Sequence, residues 1–479
     1  MNLMTNIPNI IAVLSVLFLE FLQIAPPERG PEDLEAPSIR VQAAESHAKV
    51  AQAVEGMERF WSAPFVLADR ELREVHVWGQ FTGMPAGDPV EFFVIGELSG
   101  QDYESLMLTF ALPSDIHKAL EFIGLEPGAP VNQHQHRFWP RGDHVSPSLR
   151  YLPPGEEKMA DVPVHEWIMH GPDQPMAPST WVFTGSTMMP APRDPDTLVY
   201  AADVFGPNSI ASSFNHNQTV FDLPKQGSKT GVYGFYNLNP DIELPDALPL
   251  LLRLQVPDEA SMPVESDRRL SLHGESPAFR FDEDLATDDF DELAAFLTEQ
   301  PGITWLKVDF AGDVLLRDLI RWSQKLDALE KEHDQIRVEP APEGHLYYLA
   351  YVADPRFRDR NQRPSQPLEL HIRRLPGGDV HAWLVQVEEQ WGEGRRPTLV
   401  PHRHDLPTPD AWAARILEDP PLIRVLFVMA DSDLRHEDLL TWTQPVLHHF
   451  PVVFVYEESK ADEAADAPAE AEPAPAPAP

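Results

Sequence analysis

The spacing of apolar and polar residues divides the chain into segments with different predicted secondary structure. A nearly uninterrupted apolar run at 10–25 predicts a helix. Segments rich in β-branched and aromatic residues at 65–67, 74–81 and 90–96 predict strands. From about residue 268 onwards, buried-type strands, such as 303–310, alternate with segments of helical spacing, such as 409–418. Two further strands, at 368–374 and 380–387, are predicted on either side of a Pro-Gly-Gly hairpin turn. The pattern therefore predicts an α/β to α+β multidomain fold with a β-rich middle domain.

Pro-rich and acid-rich stretches separate these segments, and a chain of 479 residues is too long for one ordinary core. The predicted parts are a signal or membrane anchor at 1–25, a linker with a short helix at 26–64, a β-rich domain at 65–245, two small modules at 250–340 and 345–457, and a disordered acidic tail at 458–479. The tail is predicted to be disordered because Ala, Pro, Asp and Glu cannot build an apolar core.

Two helices are predicted before the β-rich domain. The run at 10–25 would be about 24 Å long as a helix, which is marginal for a hydrocarbon core of about 30 Å. The alternatives are a cleaved signal peptide, an uncleaved membrane anchor and a buried helix of a soluble protein, and export or anchoring is favoured. A short amphipathic helix is predicted at 46–62, since Val50, Val54 and Trp61 follow helical spacing.

Charge and composition exclude several classes of function. The net charge of −39 repels phosphates, so nucleic acid is not expected as a partner. The chain has no cysteine, which excludes disulfides, thiolate zinc sites and a cysteine nucleophile. The sequence also has no nucleophile-elbow pattern and no dinucleotide-binding fingerprint. No catalytic residue and no cofactor are therefore predicted.

Histidines are dense in one Pro-rich part of the middle domain. His134 and His136, two positions apart, would present both imidazoles on one face of a strand, and His165 would be a third metal ligand. His165 and His170 are five positions apart, whereas a zincin helix requires four. Metal binding by His134, His136 and His165 is one hypothesis, and histidines on the surface of an insertion are the simpler interpretation.

Three further polar residues are candidates for a cleft in the middle domain. Glu104 and Ser105 lie between a predicted strand and a helix that is expected to start with Ser114 as its N-cap. These two residues, with Asp203, form a possible polar cleft. Alternatively, Glu104 and Ser105 hold the strand-to-helix geometry, and Asp203 forms a turn.

One helical segment occurs twice in the second half of the chain. The residues at 318–324 match those at 438–444 without a gap, 120 positions apart, and Leu306 of the preceding strand matches Leu426 at the same offset. The signature consists of Asp318, Trp322, Gln324, Asp438, Trp442 and Gln444. We therefore predict two β-α-β-α-β modules of two layers, with the tryptophans in the core rather than on a partner surface.

Three motifs of the middle domain occur in a fixed order. They are Tyr-Glu-Ser-Leu at 103–106 with the helix that follows, Trp-Val-Phe-Thr-Gly-Ser at 181–186, and Tyr-Ala-Ala-Asp-Val-Phe-Gly at 200–206. In this order they resemble the YdjY domain, a family of exported bacterial proteins without a known biochemical role. The resemblance covers about 65–240 and supplies no catalytic residues. The family often has His where this chain has Tyr103.

The second module reads Ile-Arg-Val-Leu-Phe-Val-Met-Ala-Asp at 423–431, followed by a predicted helix at 434–448 and a strand at 452–456. This order is similar to the periplasmic domain of ExbD/TolR proteins, the peptidoglycan-side component of proton-driven envelope motors, and the resemblance covers about 90 residues in each of the two modules. The resemblance implies dimerisation, or contact with cell wall or partner proteins. That family has an essential aspartate near the start of its membrane helix, where this chain has Ile10-Ile11-Ala12, so proton coupling is not implied.

The predicted function is that of an exported, envelope-associated bacterial protein that acts as a non-catalytic interaction or assembly module. Its expected partners are envelope proteins or cell wall, with membrane contact at the N-terminus and a possible homodimer. The alternative is a metal-binding protein or metal-dependent enzyme that uses the His-rich part of the middle domain.

Overall fold

The computed structural model describes residues 7–23, 38–97, 99–131, 137, 139–171, 174–176, 180–204, 211–212, 220–222, 236–333, 335–340, 345–363, 365–391, 397–418, 420–450 and 452–458. In this part of the chain, helices and strands are mixed and strands predominate, as predicted. The chain divides into two compact units, the first ending at Met262 and the second beginning at Pro263.

The first unit is built around one large sheet. Its helices are α1 (Ile7–Leu22), α2 (Ile39–Ala53), α3 (Pro113–Phe122), α4 (Val164–Trp167) and α5 (Ala201–Val204). Its strands are β1 (Phe60–Ala63), β2 (Val66–Asp69), β3 (Glu74–Phe81), β4 (Phe92–Gly96), β5 (Ser105–Thr109), β6 (Asp143–Tyr151), β7 (Ala160–Pro163), β8 (Ile168–His170), β9 (Gln174–Pro175), β10 (Trp181–Phe183), β11 (Met188–Ala191), β12 (Asp194–Tyr200), β13 (Ala211–Ser212), β14 (Phe221–Asp222), β15 (Tyr236–Leu238) and β16 (Pro249–Gln255).

Strands from distant parts of the chain pair in the large sheet, in the order β1-β2-β3-β16-β6-β10-β14-β13-β4-β5. Strand β3 also pairs with β5, where Gly79 lies opposite Thr109. The sheet therefore closes on itself. Gly79 allows this close approach, because a Cβ there would lie 2.3 Å from the Leu108 carbonyl oxygen. Val75 and Val77 suit the strand conformation and are fully buried, so β3 anchors the core of the unit.

The N-terminal helix α1 packs against the large sheet. The Phe18 ring is buried and lies 4.7 Å from the His76 ring and 5.6 Å from the Trp78 ring. Glu20 is exposed and forms an ion pair with Lys49 of α2 over 3.1 Å. Within the described residues, we find no helix with the length and apolarity needed to cross a lipid bilayer.

Helix α2 differs from the helix predicted at 46–62. It begins after Ser38, whose hydroxyl accepts a hydrogen bond from Val41 N over 3.4 Å, and it ends at Ala53. Part of the predicted linker is therefore helical. Turns between 54 and 59 then reverse the chain, and Trp61 lies in β1, paired with Ala68 of β2. The helix predicted at 46–62 is confirmed for 46–53 and wrong beyond it, because Trp61, a strand residue, happened to continue the helical spacing.

The second unit contains the two modules, here called the first and second copy. The first copy consists of β17 (Glu265–Leu272), β18 (Phe279–Phe281), β19 (Leu285–Thr287), α6 (Phe290–Thr298), β20 (Ile303–Phe310), α7 (Leu316–Glu332) and β21 (Ile336–Val338). The second copy consists of β22 (Leu368–Arg374), β23 (Val380–Gln390), β24 (Thr398–Leu406), α8 (Pro409–Glu418), β25 (Val425–Ala430), α9 (His436–Thr443) and β26 (Val452–Glu457).

The two copies have the same topology. Their strand orders are β19-β18-β17-β20-β21 and β24-β23-β22-β25-β26, with three antiparallel strands followed by two parallel ones. Leu270 pairs with Val308 in the first copy as Leu370 pairs with Val428 in the second. The prediction of three strands in the first copy and four in the second is corrected to five in each, because two antiparallel strands stand between the first strand and the first helix.

The copies differ on the face of the sheet that is opposite the helices. In the second copy, residues 353–363 cover this face with short 3-10 turns. The Tyr456 hydroxyl donates to the Asp354 carbonyl over 3.3 Å, and the Arg363 guanidinium lies 4.6 Å from the centre of the Phe427 ring. The predicted two layers are therefore corrected to three in the second copy.

Candidate functional site

The two copies contact each other where the second parallel strand of each leads into its second helix. Leu316 N donates to Leu434 O, and His436 N donates to Val314 O, both over 2.8 Å. Leu316 corresponds to His436 in the repeat, and Val314 corresponds to Leu434. Each hydrogen bond is therefore the counterpart of the other, and we call this contact the junction.

A second pair of hydrogen bonds repeats this reciprocity. Arg317 N donates to Ser432 O over 3.2 Å, and Glu437 N donates to Gly312 O over 3.0 Å. All four donors of the junction lie in the first turns of α7 and α9, where backbone N–H groups have no partner in their own helix. Each copy therefore caps the helix of the other, related by a local twofold axis.

The tryptophans and glutamines of the repeat signature lie on or directly after these two helices. Trp322 and Trp442 are buried, and the Trp322 ring lies 5.0 Å from the Phe279 ring on the sheet of its own copy. Gln324 and Gln444 are exposed. The tryptophans thus lie on the buried face of each helix, and the glutamines lie on the face that is exposed to solvent.

The signature aspartates lie in the first turns of the same helices. Asp318 accepts a hydrogen bond from Arg321 over 2.8 Å. Asp438 accepts one from Arg435 N over 3.0 Å and pairs with the Arg374 guanidinium. Carboxylates at these positions favour the helix because the N-terminal end carries partial positive charge. The signature aspartates therefore stabilise the ends of the helices that form the junction.

His436 makes the two halves of the junction unequal, because its counterpart is the apolar Leu316 and both side chains are buried. The His436 Nδ1 atom lies 3.1 Å from the Phe310 carbonyl oxygen, and the two rings are 5.6 Å apart. Burial lowers the pKa of His436 to about 4. The imidazole is therefore neutral at pH 7, with a proton on Nδ1 that it donates to the carbonyl.

A group of buried charged residues, the charge network, lies on the covered face of the second copy. Glu369 of β22 is fully buried and accepts hydrogen bonds from Arg360 over 2.8 and 2.6 Å and from Arg363. His371 lies on the same face, with Nε2 3.2 Å from Glu369 Oε2. Burial raises the pKa of Glu369, but the hydrogen bonds and charges of its partners outweigh burial and hold the pKa well below its usual range.

Glu458 completes the charge network on the other side of His371. Its Oε1 lies 3.0 Å from His371 Nδ1, and its Oε2 accepts a hydrogen bond from Arg373 over 3.1 Å. Trp383 stacks on the imidazole, with ring centres 5.0 Å apart. Burial lowers the pKa of His371, but its bonds to the two carboxylates raise it, and the net shift is upward. A cationic imidazole between two carboxylates therefore ties β22 to the residue that follows β26.

In the first unit, parts of all three sequence motifs meet around α3. The His117 ring lies 5.0 Å from the Phe183 ring and 4.7 Å from the Tyr200 ring. Ala202 N donates to Ser186 Oγ over 2.8 Å. The motifs that carry the YdjY resemblance are therefore parts of one packing arrangement, although they are far apart in sequence.

Asp203 caps helix α3 from a distant part of the chain. Ser114 N donates to Asp203 Oδ1 over 2.9 Å. The helix begins at Pro113 and its N-cap is Leu112, which has no side-chain acceptor of its own. The prediction of Ser114 as the N-cap is therefore wrong, and Asp203 serves as an acceptor for the first turn instead.

Glu104 and Ser105 lie where a 3-10 turn leads into β5. The Ser105 hydroxyl donates to Gln101 O over 2.6 Å, and Glu91 N donates to Glu104 O over 2.9 Å. Burial and the neighbouring Glu104 raise the pKa of Glu91 to about 7. The structure therefore places Glu104 and Ser105 at the start of β5, beside Glu91, and places Asp203 at the start of α3.

The histidines proposed as metal ligands are only partly described, since His134 and His136 lie outside the described residues. His165 is half-buried in the single turn of α4, and His170 lies on β8, where it stacks on Tyr236. Among the side chains that the structure describes, no three His, Asp or Glu residues form a metal-binding group. Metal binding by His134, His136 and His165 stays a hypothesis.

Comparisons with protein-family models, with curated proteins and with solved structures find no match for this chain. The function is therefore inferred from the geometry of the two units.

Proposed function

We propose that the chain is a non-catalytic interaction or assembly protein whose second unit presents two permanently paired modules. The observation that carries this proposal is the reciprocal capping at the junction. A twofold contact between separate subunits uses one surface twice and depends on protein concentration. Here both surfaces belong to one chain, so the modules stay paired at any concentration. The junction then needs no second chain, and a homodimer would use another surface.

Exposed apolar side chains on the second unit support a role in binding. Trp391, directly after β23, is 67% exposed, and Leu375 in the preceding hairpin is 45% exposed. Exposed aromatic residues are frequent anchors of protein interfaces. Because the chain carries a net charge of −39, we expect a neutral or basic partner surface.

We further propose that this role is performed in the bacterial cell envelope, with envelope proteins or cell wall as partners. The resemblance of the motifs to YdjY and ExbD/TolR domains supports this location. Cell fractionation with mass determination of the N-terminal peptide tests it. Recovery of the full chain in the cytoplasmic fraction alone would contradict an envelope location.

The pairing of the modules is tested by cysteine cross-linking, which is clean because the chain has no cysteine. Leu315 and Arg435 face each other as an isolated antiparallel bridge, without hydrogen bonds between the two residues themselves. Such positions have Cα atoms about 4.5 Å apart, which suits a disulfide. Leu315→Cys with Arg435→Cys should give a monomer with an internal disulfide on mild oxidation. Leu315→Cys with Arg280→Cys, on the exposed surface of β18, is the control and should remain reduced. Disulfide-linked dimers from the first variant would contradict the internal pairing.

The binding role is tested with a photo-cross-linking amino acid at Trp391 in the full chain inside cells. We expect one or a few discrete adducts from this position and none from the same amino acid at Arg280, which is exposed on the first copy. Recovery of uncross-linked protein alone, from Trp391 and also from Leu375, would count against an interaction role.

A further inference from the structure

Strand β23 extends beyond its neighbour β22. Its pairing with β22 ends at Val385, opposite Glu369, whereas its pairing with β24 continues to Gln390, opposite Thr398. Residues 386–390 therefore have a paired strand on one side only, and four of these five residues are exposed. The corresponding strand of the first copy, β18, has three residues and no such extension. This section of β23, here called the free edge, is specific to the second copy.

The hydrogen bonds of β22 indicate which backbone groups of the free edge point outward. Leu375 N donates to Asp379 O over 2.8 Å in the hairpin between β22 and β23. Alternate residues of an antiparallel strand bond to opposite neighbours, so the odd-numbered residues of β23 face the side of β22. Val387 and Glu389 therefore direct their N–H and C=O groups away from β24. No described residue bonds to these four groups, so an added strand could pair with all of them.

Strand β24, at the edge of the same sheet, is protected against an added strand. Pro401 lies opposite Val387, and by the same alternation it faces outward from the sheet. Proline has no N–H to donate, and its presence in an edge strand prevents further pairing. The free edge of β23 contains no proline. Of these two edges, only the free edge is therefore open to a further strand.

The side chains of the free edge indicate which kind of strand fits. Glu388 lies at its centre, 3.0 Å from His402 of β24, and Glu389 projects from the other face. Two copies of this chain that paired about Glu388 would place like charges opposite each other, which destabilises a strand pair. A strand with basic residues opposite Glu388 and Glu389 would instead gain cross-strand ion pairs. Trp391, 67% exposed at the end of β23, offers an additional aromatic contact.

We propose that the free edge binds an extended, basic segment of a partner protein, which adds to the sheet as an antiparallel strand beside β23. The inference rests on the proposed function and specifies how the partner is bound. The partner backbone pairs with Val387 and Glu389, and its basic side chains lie next to Glu388 and Glu389. In such strand addition, main-chain hydrogen bonds supply the affinity and alternate side chains supply the specificity.

Isothermal titration of the full chain with the peptide acetyl-Thr-Lys-Lys-Val-Thr-amide tests this strand addition. In the antiparallel register, the two lysines lie opposite Glu389 and Glu388, and the valine lies opposite Val387. The last threonine keeps a cation away from Arg415, which lines a cavity together with Gln386. We expect saturable binding with a dissociation constant on the order of 0.1–1 mM.

Two N-methylated peptides separate backbone pairing from attraction between charges. N-methylation of the valine removes an N–H that faces Val387 and should weaken binding by about tenfold or more. The N–H of the second lysine, opposite Glu388, points away from β23, so N-methylation there should change the affinity by less than about twofold. Both peptides carry the same charge. Equal affinities of the two peptides would therefore overturn the proposal.

Two protein variants make the same distinction on the other strand. Glu389→Pro removes an N–H that the pairing of β23 with β24 does not use, so it should abolish binding with little change in the melting temperature. Glu389→Gln keeps this N–H and loses only the charge, so it should weaken binding by about threefold. Wild-type affinity in Glu389→Pro, or no saturable binding of the unmethylated peptide at about 5 mM, would overturn the proposal.

The oligomeric state of the wild type provides a further test of the occupant. We expect no dimer that depends on the free edge. A wild-type dimer in sedimentation that Glu389→Pro dissociates would assign the free edge to a second copy and overturn the proposal. The titration needs no natural partner, so its outcome is independent of cross-linking at Trp391.

Discussion

Replacement of Glu369 by Gln should strongly destabilise the second unit. Gln has nearly the same volume, so the packing of β22 is kept. The neutral amide, however, leaves Arg360, Arg363 and His371 without the carboxylate that now accepts their hydrogen bonds. Arg363 and His371 are buried as well. Removing one member of such a buried group costs about 3–5 kcal/mol, because the buried Arg363 charge stays out of water without its counter-ion, although His371 keeps its contact with Glu458.

The first copy supplies a matched control for this variant. Arg269 of β17 corresponds to Glu369 in the pairing register, and it forms an ion pair with Asp309 over 2.5 Å. The side chain of Arg269 is 67% exposed, and exposed pairs contribute only about 0–1 kcal/mol. Asp309→Asn should therefore cost less than about 1 kcal/mol. The difference between the two variants compares a buried with an exposed ion pair, each of which includes the residue at this position of the repeat.

The same network sets an expected pH dependence. Because the pKa of Glu369 is lowered, this residue stabilises the second unit fully above the usual glutamate pKa of about 4.3. The stabilisation is lost as the pH falls through the pKa that Glu369 has in the folded protein. The raised pKa of His371 has the opposite consequence: its contribution is complete below about pH 6.5 and is lost as the pH rises through the folded value. Both contributions are therefore present together between roughly pH 4.5 and 6.5.

Urea unfolding with hydrogen exchange of peptides from β22 measures the loss in the second unit directly. Wild type, Glu369→Gln and Asp309→Asn should be compared at pH 6 and pH 8. A loss in Glu369→Gln no larger than that in Asp309→Asn would refute the reasoning.

The remaining predictions concern a cap, a histidine and the N-terminal helix. Asp203→Ala should cost the first unit about 1 kcal/mol, because Ser114 N loses its acceptor, and Asp203→Asn should cost less in thermal melting. His436 has a folded pKa of about 4, so the unfolding free energy of the wild type should rise as the pH rises from about 4 to 6.5. His436→Leu, which copies Leu316, should remove this pH dependence of the unfolding free energy. Phe18→Ala should lower the unfolding free energy of the first unit by about 3 kcal/mol, because its ring is buried against the sheet. An unchanged value would show that α1 leaves this position in solution.

Elements with their own local signal are predicted accurately from the sequence. The predicted strands at Glu74–Phe81 and Ile303–Phe310 and the predicted helix at Pro409–Glu418 have the same bounds in the structure. The first strand has β-branched and aromatic residues, and the helix starts with proline, which fits the first helical position. In such segments, the residues that define the element are also the residues that it buries.

Elements without such a signal are missed. Strands β18 and β19 have three residues each, which is too short to show a period of two. Strand β24 is long but lies at the edge of its sheet, and polar residues such as His402 and His404 make it look like a loop. Pairing with a distant neighbour fixes these strands, and that information is absent from the segment itself.

The sites show the same limit. The repeat indicates that Leu316 corresponds to His436, but the junction joins backbone atoms and has no side-chain signature. Glu369, His371 and Arg373 alternate with apolar residues along β22, and such a pattern predicts that their face of the strand is exposed to solvent. Their burial comes from a segment earlier in the chain, which only the three-dimensional structure places there.

The conserved topology of the copies and the difference between their outer faces favour a specific mode of binding. Residues 353–363 cover the outer face of the second copy, whereas Arg269 on the corresponding face of the first copy is exposed. The junction therefore holds together two modules that offer different surfaces. A partner that contacts both must match their fixed arrangement, so the disulfide between cysteines at 315 and 435 should leave cross-linking at Trp391 unchanged. Loss of cross-linking only in the oxidised protein would instead mean that the copies must separate to bind, and that the junction is a closed state rather than a scaffold.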